Sequence, residues 1–171
     1  MALTSSIPPL GDEFEFRPAW LRRDAAIEAD AIHFWQRLGI LPPGVAPEDR
    51  ARELVAAAYK DGRLVAVATA ALARLEFLRA RFAMLRAAVD PEHRRGRAAF
   101  GLALHCRALL ESWSQAHPEE RVAGIGAIIE APELVARQKE PYWPTTQLGL
   151  VGYTAAGRQI RVSWFDGFRL D

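Results

Sequence analysis

At 171 residues, half of them hydrophobic and a quarter charged, the chain has the make-up of one globular domain long enough for a real core. Lys+Arg 22 against Asp+Glu 21 leaves a net charge of +1, so no global field recruits nucleic acid or an anionic membrane, and any basic patch is local. The single cysteine, Cys106, excludes an internal disulfide, and no apolar run approaches the ~20 residues of a membrane span. Met1–Ser6 carries no basic region of a secretory signal, which points to a cytoplasmic protein.

Residues 1–12 are turn-rich and read as a loose lead-in to a single domain. Glu13–Arg17 alternates charged and aromatic residues, as a half-buried strand does, and Pro18 closes it. Asp24 caps a helix in which Ile27, Ala31, Phe34, Trp35 and Leu38 share a face and Gly39 ends the run. Pro42-Pro43-Gly44 turns the chain, and Pro47 opens a second helix expected to run to about Ala57, with Glu48 and Asp49 at its positive end. Asp61-Gly62 marks a hairpin, followed by a small-residue strand, Leu64–Ala70. Ala71–Leu78 either extends that strand or turns helical, and the turn is expected at Arg79-Ala80-Arg81.

Phe82–Val89 is almost wholly apolar, as a strand covered on both faces would be, and Pro91 ends it. Leu102, Cys106, Leu109 and Trp113 then form one helical stripe, with Cys106 a buried small hydrophobe rather than a nucleophile. A helix starting near Ala98 turns free N–H groups and a partial positive charge back into the turn, beside Arg94, Arg95, Gly96 and Arg97. Phosphate is the natural guest of such a turn. Basic turns before helices also serve only to solvate a surface, and the turn alone leaves both readings open.

His117-Pro118 breaks the helix, and Val122–Ile129 reads as a buried strand containing Gly124 and Gly126. A short helix over about Glu133–Lys139, an irregular loop at Pro141-Tyr142-Trp143-Pro144 and a hairpin of Leu148–Tyr153 with Arg158–Phe165 complete the chain. The order β-α-α-β-β-β-α-β-α-β-β describes a mixed α/β (α+β) protein: one central sheet flanked by helices, with one helical crossover between parallel neighbours.

That order, with Val89-x-Pro91-x-x-Arg94-Arg95 at the end of a central strand, resembles the GNAT superfamily of N-acetyltransferases, from about Glu13 to Phe165. The resemblance implies an acyltransferase that moves an acetyl group from acetyl-CoA to an amine of a small molecule or peptide by direct transfer. The family's Arg/Gln-x-x-Gly-x-Gly/Ala, which holds the pyrophosphate of coenzyme A, falls on Arg94-Arg95-Gly96-Arg97-Ala98-Ala99. Arg94 and Ala99 match, whereas Arg97 stands where the family carries glycine. Ala87, Ala88 and Val89 would lie along the pantetheine arm, with Gly124 and Gly126 suiting a strand that splays away from them.

The resemblance further implies a backbone N–H near Val89 for the developing oxyanion and a tyrosine acid, for which Tyr142 is the nearest candidate. Glu130, just past a strand end, is the carboxylate placed to act as base, although a solvated glutamate before Pro132 reads equally well. The aromatic loop with Phe34 and Trp35 suits either an acceptor pocket or core packing. His33, His93, His105 and His117 are scattered, so no metal is expected. The alternative function is a catalytically weak or inactive CoA-binding or regulatory module of the same fold. A homodimer is expected through an aromatic-rich edge of the terminal hairpin, Trp164–Phe168.

Overall fold

Local chemistry sets both ends of the first helix. In the computed structural model, which describes residues 13–94 and 97–170, α1 (Ala25–Leu38) begins where the Asp24 carboxylate accepts from the Ala26 and Ile27 N–H groups. It ends where Gly39 takes a φ of 60°, a left-handed turn that glycine adopts without strain. Ile27, Ala31, Phe34 and Trp35 are buried along one side.

The second helix is shorter than its spacing predicts. α2 covers Pro47–Ala51, and Leu54–Lys60 is a strand, β2, between β1 (Glu15–Pro18) and β3 (Arg63–Leu75). Leu54 to Tyr59 are buried, so no alternation betrays the strand, and its alanines imitate a helix continuing. Asp61 and Gly62, at φ 50° and 75°, close the β2–β3 hairpin. β3 runs on to Leu75, and a 3-10 turn over Glu76–Leu78 with Arg79 at φ 53° leads into β4 (Ala80–Val89). The turn thus precedes its expected place, since Ala80 and Arg81 already pair as strand.

α3 (Ala98–Ala116) crosses over to β5 (Val122–Ile128), and α4 (Pro132–Arg137) follows. β6 (Tyr142–Trp143), β7 (Leu148–Tyr153) and β8 (Gln159–Trp164) end the sheet. The eight strands lie in the order β1-β2-β3-β4-β5-β8-β7-β6, and β4 and β5 form its one parallel pair. This is the expected mixed sheet with helices on its faces, with β6 added. Leu102, Cys106 and Leu110 of α3 pack on one face with Val55, Ile125 and Phe165. α1 packs on the other with Leu54, Tyr59 and Val67.

The C-terminal aromatic segment is not the free sheet edge that the dimer expectation rests on. β8 lies between β5 and β7, and the two residues of β6 cover the outer side of β7. Trp164 is spent on Phe82, ring to ring at 4.9 Å. The Tyr142–Trp143 segment, expected as irregular loop, is held by Arg161 of β8, whose guanidinium lies 3.8 Å over the Trp143 ring and donates to the carbonyls of Glu140, Pro141 and Leu148. Among the described residues no helix is long and apolar enough to cross a membrane. The lead-in at 1–12 lies outside the described residues.

Candidate active site

The parallel pair comes apart halfway along. β4 and β5 pair from Arg81 opposite Val122 to Leu85 opposite Ala127, and no farther. Beyond that point β4 stays with β3, as far as Val89 opposite Ala66, while β5 stays with β8, where Ile128 faces Ile160. Each arm is tied down separately. The Asp90 N–H donates to Val65 O at 2.8 Å, and its buried carboxylate accepts from Arg37 of α1 at 2.7 Å. On the other arm the Ile129 N–H donates to Gln159 O at 2.9 Å, and Glu130 accepts from Arg158 at 2.9 Å. The result is a V-shaped opening in mid-sheet with its apex at Leu85 and Ala127.

The two glycines expected at the opening lie below its apex instead. A Cβ on Gly124 would sit 2.0 Å from the backbone oxygen of Ser163, and one on Gly126 would sit 2.6 Å from the Met84 sulfur. Their job is close packing in the zipped half of the pair.

Backbone alternation decides which groups face the opening. Because the Asp90 N–H points across to β3, the polar groups of Ala88 and Arg86 point the same way, and those of Val89 and Ala87 point into the V. Arg94 fits this reading, since its Nε donates to Val89 O at 3.4 Å from the mouth of the opening. Beside it α3 begins at Ala98 with no side-chain cap, so its first-turn N–H groups have no carboxylate or hydroxyl to satisfy them. Arg97 is exposed at the N-cap. Arg95 and Gly96 lie outside the described residues.

A cleft of about 640 Å³ occupies the V and passes through the sheet. Val89, Arg94 and Ala99 line its α3 end, and Trp35, Leu41 and Pro42 line its α1 end. Between them stand Thr69, Arg86, Ala87 and Ala88, with Glu130 and Glu133 on the β5–α4 side. The structure therefore brings together Ala87, Ala88, Val89, Arg94, Ala99 and Glu130. Ala98 is fully buried behind Ala99.

Tyr142 stands apart. It lies on β6 at the sheet edge, 51 % exposed opposite Gly149, and it is not among the residues lining the cleft. Its neighbour Trp143 is buried under Arg161, and Phe34 is buried beneath α1; of the expected aromatics only Trp35 reaches the cleft. Burial pushes the Cys106 thiol up to about 12, which removes it as a nucleophile. Burial lowers the pKa of His105, which stacks on Phe16 with ring centroids 4.6 Å apart. Asp90, Glu92 and His93 are close enough to share an ion, but the Asp90 carboxylate is already taken by Arg37 and by the Glu92 N–H.

Three further residues shape the cleft without having been singled out from the sequence. Arg86 donates to Glu53 at 2.5 Å, and Arg50 lies 3.5 Å from the same carboxylate oxygen. They come from β4, from α2 and from the turn after it, so no spacing links them. The one available signal was Arg86 itself, a charge interrupting the apolar run of β4.

No family model matches the chain, and no curated protein matches it. Solved structures do. An acetyltransferase of the GNAT family from Streptococcus pneumoniae is similar over 90 % of this chain and 99 % of its own, with a TM-score of 0.59 at 10 % identity. The ribosomal-protein-S5-alanine acetyltransferase from Vibrio fischeri covers 93 % and 97 %, with a TM-score of 0.56 at 8 % identity. An agmatine N-acetyltransferase covers 90 % and 100 %, with a TM-score of 0.55 at 13 % identity. The parted central strands, the helix starting at their mouth and these superpositions agree: this chain has the fold of the GNAT N-acetyltransferases.

Proposed function

We propose that this chain is an acetyl-CoA-dependent N-acetyltransferase that moves an acetyl group to an amine by direct transfer. The observation that carries the reading is the V between β4 and β5, with the backbone of Ala87 and Val89 turned into it and the uncapped start of α3 at its mouth. An extended chain bearing amides can pair with that edge as an added strand, and a diphosphate suits the N–H groups of α3 with Arg94 beside them. The residues present fit coenzyme A on both counts.

When bound, acetyl-CoA supplies a thioester; the amine nitrogen forms the new C–N bond as the C–S bond breaks, and the thiol departs. Of the two N–H groups facing the V, that of Ala87 is nearer the apex, where an arm entering from α3 must end. It is the better placed donor for the charge developing on the acyl oxygen, ahead of Val89. Glu130 is the carboxylate placed to take the amine's proton, directly or through water, and Glu130→Gln should lower kcat/KM by about a hundredfold or more if it does so. Tyr142, at the sheet edge, has no part in this scheme. The named neighbours acetylate acceptors as different as a ribosomal-protein alanine and agmatine, so the fold leaves the acceptor open.

Thermal denaturation with acetyl-CoA at about 1 mM tests the reading, because a ligand at a hundred times its Kd adds about 2.7 kcal/mol. A clear rise in Tm is expected, and Arg94→Glu with Arg97→Glu should abolish most of it. No shift would overturn the reading. Release of free thiol over an amine panel then separates a transferase from a chain that binds the cofactor without turning it over.

A further inference from the structure

The α1 side of the cleft has an unusual balance of charge. Arg86 and Arg50 converge on the single carboxylate of Glu53, and among the described residues neither is paired with any other acid. One anion between two guanidiniums leaves a net positive charge and most of their ten N–H donors to spare. Arg50 is held at 14 % side-chain exposure, and desolvation together with the adjacent Arg86 lowers its pKa. Across the cleft, Glu130 is neutralised by Arg158. Glu133 remains, on α4.

The cations stand beside an apolar wall. Trp35, Ile40, Leu41 and Pro42 line the same end of the cleft, and Ile40 is 41 % exposed there. Arg86 opposes Thr69 on β3, facing α1 in step with Val67, one residue before Ala87 and the apex of the V. A group held by Arg86 is therefore within a residue's length of the reacting end.

We propose that the acceptor is an amine that also carries a carboxylate, an amino acid or a peptide terminus in chemical class, held at Arg86 and Arg50 with an apolar side chain against Trp35 and Leu41. This rests on the transferase reading above. A carboxylate would share the guanidinium donors with Glu53 and discharge the excess cation. A polyamine or a guanidinium-bearing amine would meet like charge at the same place.

The experiment compares matched acceptors with the intact chain and acetyl-CoA: leucine with leucinamide and isoamylamine, phenylalanine with phenethylamine, read by thiol release. The acids should lead in kcat/KM by about tenfold or more. Arg86→Gln should bring the ratio near unity, and Arg86→Lys should restore part of it, while the acetyl-CoA thermal shift persists. Amines equal to or better than the acids, or an Arg86→Gln effect shared alike by both, would overturn the inference. Calorimetry on the CoA complex supplies a second reading: N-acetylleucine should bind and N-acetylisoamylamine should bind far more weakly, and equal or absent binding would also overturn it. Loss of the acetyl-CoA shift with Arg86-dependent binding of N-acetylleucine intact would sink the transferase reading and leave the carboxylate site standing.

Discussion

The two halves of β4 belong to one strand and meet opposite surroundings. Arg81–Leu85 is paired on both edges, with Phe82 and Ala83 fully buried. Arg86–Val89 is paired on β3 alone, and Ala87, in the middle of an eight-stranded sheet, is exposed. Composition does not separate them, since both are rich in alanine and large apolar residues. What differs is the fastening of the flanks: β5 is drawn to β8 by Ile129 and Glu130, while β4 is drawn to β3 and α1 by Asp90. A mid-sheet opening needs no special residue at the opening, only two arms anchored to different partners.

That contrast breaks most severely in the zipped half. Gly124→Ala drives a Cβ into the Ser163 carbonyl and the Trp164 Cα, backbone that cannot step aside. It should cost about 4 kcal/mol or prevent folding, read by urea denaturation. Gly126→Ala meets the flexible Met84 side chain instead and should cost about 1–2 kcal/mol.

Proline scanning of the open half comes next. Ala88→Pro deletes an N–H that serves the β3 ladder and should destabilise by about 2–4 kcal/mol. Ala87→Pro deletes one that faces the cleft; its cost in stability should be about 1 kcal/mol or less, as on an edge strand, while kcat/KM falls by about a hundredfold. Equal losses of stability at the two positions would show the alternation to be wrong.

Asp90 tests the anchor of the open arm. The Arg37 guanidinium and the Glu92 N–H hold its carboxyl below the ordinary value against the opposing effect of burial. A depressed carboxyl stabilises the fold above its unfolded pKa of about 3.9, and that contribution is lost as pH falls through the folded value. Asp90→Asn should therefore cost about 2 kcal/mol at neutral pH and progressively less in acid, by urea denaturation at several pH values. A cost that does not shrink below about pH 3 would refute the assignment.

Much of this arrangement was legible in the sequence, and the reasons are local. Asp24 and Gly39 announce α1, Asp61-Gly62 announces a hairpin, and the change from a continuous apolar run to a helical stripe around Pro91 announces the strand and helix that bound the cleft. β2 was hidden because a strand buried on both faces and built from alanines has neither alternation nor β-branched density to distinguish it from a helix. The Arg50–Glu53–Arg86 group was hidden for a different reason: it exists only because β2, β3 and β4 lie side by side, and that is tertiary information. Tyr142 was misplaced because the β6 contact with β7 carries it to the far edge, a pairing of two residues too short to leave a pattern.

Arg161 has a consequence for how the molecule yields to acid. Its guanidinium is buried with no carboxylate beside it, satisfied by three main-chain oxygens, the Gln159 side chain and the face of Trp143. None of those partners takes up a proton in the range where Asp90 does, so the clasp on β6 keeps its grip while the joint between α1 and β4 lets go. Acidification should loosen the wall of the cleft first and surrender the C-terminal strands last.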